Sequence, residues 1–292
     1  MASSPPAKRQ RRDTEITHSD IWHRDGSVVL QAGNKQFRVH WGLLSRHSAF
    51  FRDLEGLPQP PDQPSVEGCP VIELSDTAED VECVLETLYD PLLLTQTALP
   101  LPTIASHIRF CRKFDLTNIL HSVVQRIVHE NPRTLKAYAG LMKGRSYSPT
   151  RISHSPGLSI DTVIVARENN LLSVLPCAYL RVILSCSRAQ IFNGVRRKDG
   201  TLAILPPSDQ RLCSLGHADI LRDQWNDGNP LGWALFFRNH ATNGTILSLG
   251  SKPLIWNKLC EPCMNAATRK MSAGRQKMWD SLPPWAELKD DL

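Results

Sequence analysis

The 292 residues hold 41% apolar side chains and a formal charge of +5, which is chain enough for two domains of ordinary size. Four basic residues and no acidic one fall in the first twelve positions, so the rest is close to charge balance and gives little ground for a nucleic-acid-binding face. Eight cysteines at irregular intervals, with no apolar run at the amino terminus, argue for a reducing compartment and against a disulfide framework. No apolar stretch reaches the roughly 18 to 20 residues that cross a bilayer, so a soluble intracellular chain, nuclear or cytoplasmic and without membrane partners, is expected.

In chain order, residues 1–17 begin MASSPPAKRQRRDTE, with two prolines and almost no apolar content, and read as a disordered basic tail. Lys8, Arg9, Arg11 and Arg12 fit a nuclear-import signal, an extended basic segment suited to an acidic receptor groove; the plainer alternative is a solvated tail. From Ser27, SVVLQAGNKQFRV holds two strand-favouring runs about Gly33 and Asn34, which predicts a hairpin. His40 then precedes a helix whose stripe is Leu43, Leu44, His47, Phe50, Phe51 and Leu54. Gly56 to Pro70 carries five prolines and reads as a loop. Val71, Ile72 and Leu74 form a third strand, Ser75 to Asp80 supply capping groups, and Val81, Val84, Leu85 and Leu88 share one helix face. After the loop TQTALPLP come two more helical stripes, Ile104, Ile108, Cys111 and then Leu116, Ile119, Leu120, Val123, Val124, Ile127, with Asp115 as the break.

Phe37, His40, Leu44, Ser48 and Phe51 resemble the F-x-x-H-x-x-x-L-x-x-x-S-x-x-F signature of the BTB/POZ family, and VIELSDTAEDVECVLETLYD resembles its following strand and helix. The resemblance covers residues 18–130 and implies an α+β domain, a short sheet packed with helices. The phrasing DGSVVLQAGNKQFRVH is similar to the large BTB sets of mushroom-forming fungi. The family implies association with a second copy or a related BTB protein across an apolar helix face, and in some members with a cullin-type ubiquitin ligase scaffold or transcriptional co-repressors. The charged pair of co-repressor binders is replaced here by Ser27 and Trp41, the tryptophan offering an apolar contact at the seam instead. The hydrophobic-x-Glu triplet of cullin adaptors is replaced by Gln59, Pro60 and Pro61, and Val66 with Glu67 lies at the wrong spacing, which makes a cullin partner doubtful. His40 is expected to be a partly buried helix-start residue whose ring satisfies nearby backbone groups.

Residues 131–292 read as a mostly α-helical region with a flexible linker near 146–159, which is rich in Ser, Pro, Arg and Gly. A stripe from Leu171 to Leu184 contains Pro176, which suggests a break or a fresh helix start, and helices are expected over 208–225, 231–237 and 264–279. Cys260 and Cys263 could share a structural zinc ion with Cys213 and His217, or with His240 as the fourth ligand. The plainer reading takes these cysteines as small packed hydrophobes, with redox chemistry as a third option that lacks a thioredoxin-like context. Trp225, Trp233, Trp256, Trp279 and Trp285 lie among basic residues, a pattern that fits inter-helix packing better than nucleic-acid stacking.

No phosphate loop, dinucleotide fingerprint, nucleophile elbow or HExxH motif occurs, which leaves catalysis without a named residue. The BTB/POZ resemblance implies a non-enzymatic interaction module that pairs with itself or a relative, without a cofactor and with a nuclear or transcriptional role in view. Two alternatives stand beside it: a substrate adaptor for a cullin-type ligase, and a zinc-supported nucleic-acid-binding regulator. The partner of the carboxy-terminal region is unidentified by sequence.

Overall fold

The hairpin about Gly33 and Asn34 is present, and it seeds a five-stranded sheet. In the computed structural model, which describes residues 15–58, 62–143, 146–225 and 260–282, β2 (Val28–Ala32) and β3 (Lys35–Val39) pair antiparallel with Ala32 opposite Lys35. Gly33 takes the positive φ (+59) that so tight a turn needs. By its internal contacts the chain divides into two units. The first takes the described residues up to Thr95 and Ser106–Leu120; the second takes Gln96–Ala105 and the described residues from His121 on.

In the first unit the strand order is β1-β3-β2-β5-β4. The edge strand β1 (Thr17–Trp22) runs parallel to β3, and β5 (Cys69–Leu74) runs parallel to β2. β1 was not expected. Its sequence THSDIW is polar, and only pairing with a distant strand makes it extended. The proline-rich loop also ends sooner than its composition suggests. A short β4 (Ser65–Val66) pairs with the start of β5, and both turn residues, Glu67 and Gly68, have positive φ (49 and 76) as a two-residue hairpin of this hand demands.

The helix expected after His40 is two helices, α1 (Trp41–His47) and α2 (Ala49–Glu55). Ser48 separates them with extended dihedrals (φ −132, ψ 123). Its Oγ accepts from the Phe51 amide at 3.1 Å, capping α2, and donates to the Phe114 carbonyl. A buried serine hydroxyl thus ends one helix, starts the next and ties both to a remote segment. The following helix, α3 (Ala78–Tyr89), is capped by Thr77 and buries Val81, Val84, Leu85 and Leu88, the face expected from their spacing. α4 (Leu101–Lys113) and α5 (Thr117–Glu130) are separated at Asp115, which adopts φ +54. The core of this unit joins Leu30, Phe37, Leu44, Phe51, Val84, Leu85, Phe110 and Phe114.

The second unit is mostly helical, as expected. α6 (Leu135–Leu141) runs into a two-stranded ribbon of β6 (Met142–Lys143) and β7 (Ser146–Tyr147). α7 (Leu158–Glu168) packs against α8 (Leu175–Ser185), whose Pro176 lies in its first turn, so the proline starts a helix and does not break one. α9 (Arg188–Asn193) leads to a second ribbon, β8 (Val195–Arg196) with β9 (Leu202–Ala203), then α10 (Pro207–Trp225) and α11 (Glu261–Asp280). The helix expected at 231–237 lies outside the described residues. No helix of the described residues is long and apolar enough to cross a membrane.

The segment expected to be a flexible linker lies inside the second unit and is held by hydrogen bonds. Ile152 bridges Leu99, and the amides of Thr150 and Arg151 donate to the Glu130 carboxylate at 2.8 and 2.7 Å. Its Ser, Pro and Gly content reflects tight turns between anchoring points.

Candidate protein-interaction site

The signature residues build the domain before they can meet anything outside it. Phe37, Leu44, Ser48 and Phe51 are at most 1% exposed. Phe51 stacks on Phe114 (centroids 5.2 Å), and Phe114 lies 4.5 Å from the Phe110 ring. Trp41 does not offer the exposed seam contact expected of it. Its ring belongs to the core of its own unit, and its amide donates to Ser27 Oγ at 3.0 Å. The two positions that lack the co-repressor charges therefore do lie side by side, joined by an uncharged hydrogen bond.

His40 occupies the residue before α1 and is half-buried, but its ring meets side chains, not the backbone groups expected. The Tyr89 hydroxyl accepts from the His40 amide at 3.0 Å and lies 2.8 Å from Nδ1; Asp25 Oδ1 lies 3.2 Å from Nε2. Because the phenol oxygen already accepts the amide proton, its own hydrogen is free for Nδ1, which assigns the remaining ring proton to Nε2 facing Asp25. Neighbouring His23 stacks on Tyr89 at 4.1 Å. The His40 hydrogen bond holds the Asp25 carboxyl below its usual pKa, whereas burial pushes the Tyr89 phenol up. A phenol held protonated and committed to an amide is no nucleophile, so the Asp–His–Tyr line braces the end of α3 against the start of α1. Tyr89 closes the family-like stretch in the sequence, but Asp25 and His23 give no signal there, because their roles depend on a turn bringing them under α3.

The zinc set is not brought together. Cys213 is fully buried on α10, where burial pushes its thiol up to about 12. Cys260 and Cys263 are exposed, and among the described residues no three His, Cys, Asp or Glu side chains gather as a metal site. His217 stands one turn beyond Cys213 on α10; His240 lies outside the described residues. Trp279 packs between helices as expected, its ring 5.2 Å from Tyr138 and its Nε1 donating to the Arg133 carbonyl at 3.1 Å. Trp233, Trp256 and Trp285 lie outside the described residues, as does the basic run Lys8 to Arg12.

A cavity of about 590 Å3 in the second unit lies between Pro100, Leu101, Pro156, Ile164 and the loop carrying Arg197 and Lys198. The Arg197 guanidinium there is clamped by Asp161 (2.6 Å), so its charge is already neutralised within the unit.

Against this geometry, the family model of the BTB/POZ domain matches residues 25–131. This part of the chain is a BTB/POZ domain. No curated protein matches the chain. BTB/POZ domains are protein–protein interaction modules, and the buried signature fits that role: it sets the framework on which exposed residues are displayed. Among the described residues of the first unit, which holds most of the BTB/POZ domain, the large apolar side chains left exposed are Ile16, Phe50, Leu57 and Leu92. Phe50 (44% exposed) lies on α2, and Leu57 (58%) in the bend that follows its cap at Gly56. Phe50 is fixed edge-on against Phe51 and Phe114 (5.3 and 5.2 Å), so its outward face is presented rigidly. Of the adaptor positions, Gln59, Pro60 and Pro61 lie outside the described residues, while Glu67 is held by Arg38 within its own sheet.

Proposed function

We propose that the chain acts without catalysis as a protein-association module, its BTB/POZ domain pairing with a second copy of itself or a related BTB domain. The observation that carries this reading is the exposed apolar pair of Phe50, on α2, and Leu57, just past its end, with the Phe50 ring fixed by the buried Phe51 and Phe114. Sedimentation of the full chain at rising concentration is expected to show a monomer giving way to a dimer. Leu57→Glu, which changes an exposed side chain, should shift the equilibrium at least about tenfold toward monomer, since burying a charge opposite an apolar partner costs more than 1.4 kcal/mol. A wild-type chain that stays monomeric, in the absence and presence of related BTB domains, overturns the reading.

The nuclear or transcriptional part of the proposal rests on the run Lys8, Arg9, Arg11 and Arg12. A fluorescent fusion should lose nuclear enrichment when all four become alanine; unchanged distribution sinks that part alone. Kinship with the BTB sets of mushroom-forming fungi is likewise proposed on the wording of residues 25–40.

A further inference from the structure

We infer that Cys260 and Cys263 form a reversible disulfide by exchange with a low-molecular-weight disulfide of the glutathione class, which makes the start of α11 a redox-modified site. The argument begins with how the eight cysteines divide. Cys69, Cys111, Cys177 and Cys213 are buried, and Cys83 and Cys186 are half-buried; only Cys260 and Cys263 are exposed. Burial pushes the thiols of Cys83 and Cys177 up to about 11 and those of Cys111 and Cys213 up to about 12, so these stay protonated and out of reach of a solution oxidant.

Cys260 is the residue that caps α11, with extended dihedrals (φ −65, ψ 157), and Cys263 is the third residue of the helix. These are the N-cap and N3 positions, three residues apart across the first turn, so the helix start itself puts both sulfurs on one face. Pro262 lies between them in the first turn, fixing the backbone there and donating no N–H that could compete for the sulfur. The Cys260 sulfur does not reach the geometry of a full side-chain cap, yet the Cys263 amide, and after it the Cys263 thiol, lower the Cys260 pKa, while the same contact raises that of Cys263. The pair is therefore unequal. One sulfur attacks and the other resolves, an assignment that the free end of a twenty-residue helix dipole reinforces.

In the first step the Cys260 thiolate attacks one sulfur of glutathione disulfide; a Cys260–glutathione bond forms and one glutathione leaves as thiolate, taking up a proton. In the second step Cys263 gives up its proton and attacks the Cys260 sulfur, and the second glutathione leaves. The protein loses two thiol hydrogens, and one glutathione disulfide becomes two glutathiones. The ring closed is four residues long at the exposed end of α11. The other end of that helix, Met278 and Trp279, stays in the core of the second unit, so oxidation leaves the fold standing.

The full chain with all eight cysteines is equilibrated in buffers of graded reduced to oxidised glutathione, quenched in acid, alkylated and mapped by mass spectrometry. The expected result is a peptide in which Cys260 and Cys263 are joined, its population rising with the oxidised fraction, while the other six cysteines stay reduced. Cys263→Ser should accumulate one glutathione on Cys260 faster than Cys260→Ser accumulates it on Cys263, because the residue-263 amide that lowers the Cys260 pKa remains in the first variant. Full alkylation of both residues across the series, glutathione on both without the internal bond, or equal trapping by the two single variants overturns the proposal.

Discussion

Phe51→Ala is expected to destabilise the first unit by about 3–5 kcal/mol, the range for deleting a buried aromatic ring. Phe51 is fully buried, stacks on Phe114 and touches the edge of Phe50, and its amide is the one that Ser48 caps. Alanine keeps that cap but opens a void among three phenylalanines whose positions are set by one another. They cannot close it without moving α2 away from Phe114, and Ser48 also holds those two segments together. Phe50→Ala is the internal control. Its ring joins the same cluster from the solvent side, so its loss should cost less than half as much. Hydrogen exchange in the central strand β2 measures both, because opening of the unit must expose it. Wild-type protection of Val28 to Ala32 in the Phe51→Ala chain would mean that the ring is no keystone of this core.

That control also shows what the sequence could and could not tell. Phe50, Phe51 and Leu54 announce an amphipathic helix by spacing alone, and the faces of α3 and the break at Asp115 are legible for the same reason. The interruption at Ser48 is not, since a serine inside a helical stripe reads equally as a tolerated surface residue; what makes it a cap is the Phe114 carbonyl, 66 residues away. β1 and α7 escaped in opposite ways. β1 is too polar to read as a strand, whereas α7 is apolar on several sides and follows a Ser-Pro-Gly stretch that hides its start. In the candidate site, the signature positions were legible as architecture. The exposed face of Phe50 was not, because spacing marks the residue as apolar without saying that its neighbours leave one face of it uncovered.

The same blindness to distant partners hid a buried polar network of the second unit, and it leads to a prediction of comparable size. Glu130, the last residue of α5, is 1% exposed, and its carboxylate accepts from the Tyr147 hydroxyl (2.6 Å), the Thr150 amide and hydroxyl (2.8 and 3.0 Å) and the Arg151 amide (2.7 Å). The Arg181 guanidinium stacks on Tyr147 and donates to the Glu130 carbonyl. Burial by itself would raise the Glu130 pKa, but the Tyr147 hydroxyl and then the Arg151 and Thr150 groups outweigh it and hold the carboxyl below its usual value. A carboxyl whose folded pKa is depressed gives stability that is complete above its unfolded pKa of about 4.3 and is lost as pH falls through the lower folded value. The segment 146–151 should therefore loosen in acid, in that window and not near neutrality. Glu130→Ala should cost about 3–5 kcal/mol at neutral pH, because several buried donors lose their acceptor at once. Glu130→Gln, which keeps the shape but cannot ionise, should cost less and flatten the acid dependence. Amide exchange at Thr150 and Arg151, followed from neutral pH into the acid range and corrected for its intrinsic pH dependence, reads both effects. Equal protection in wild type and Glu130→Gln at every pH would show that the charge of this carboxylate holds nothing in place.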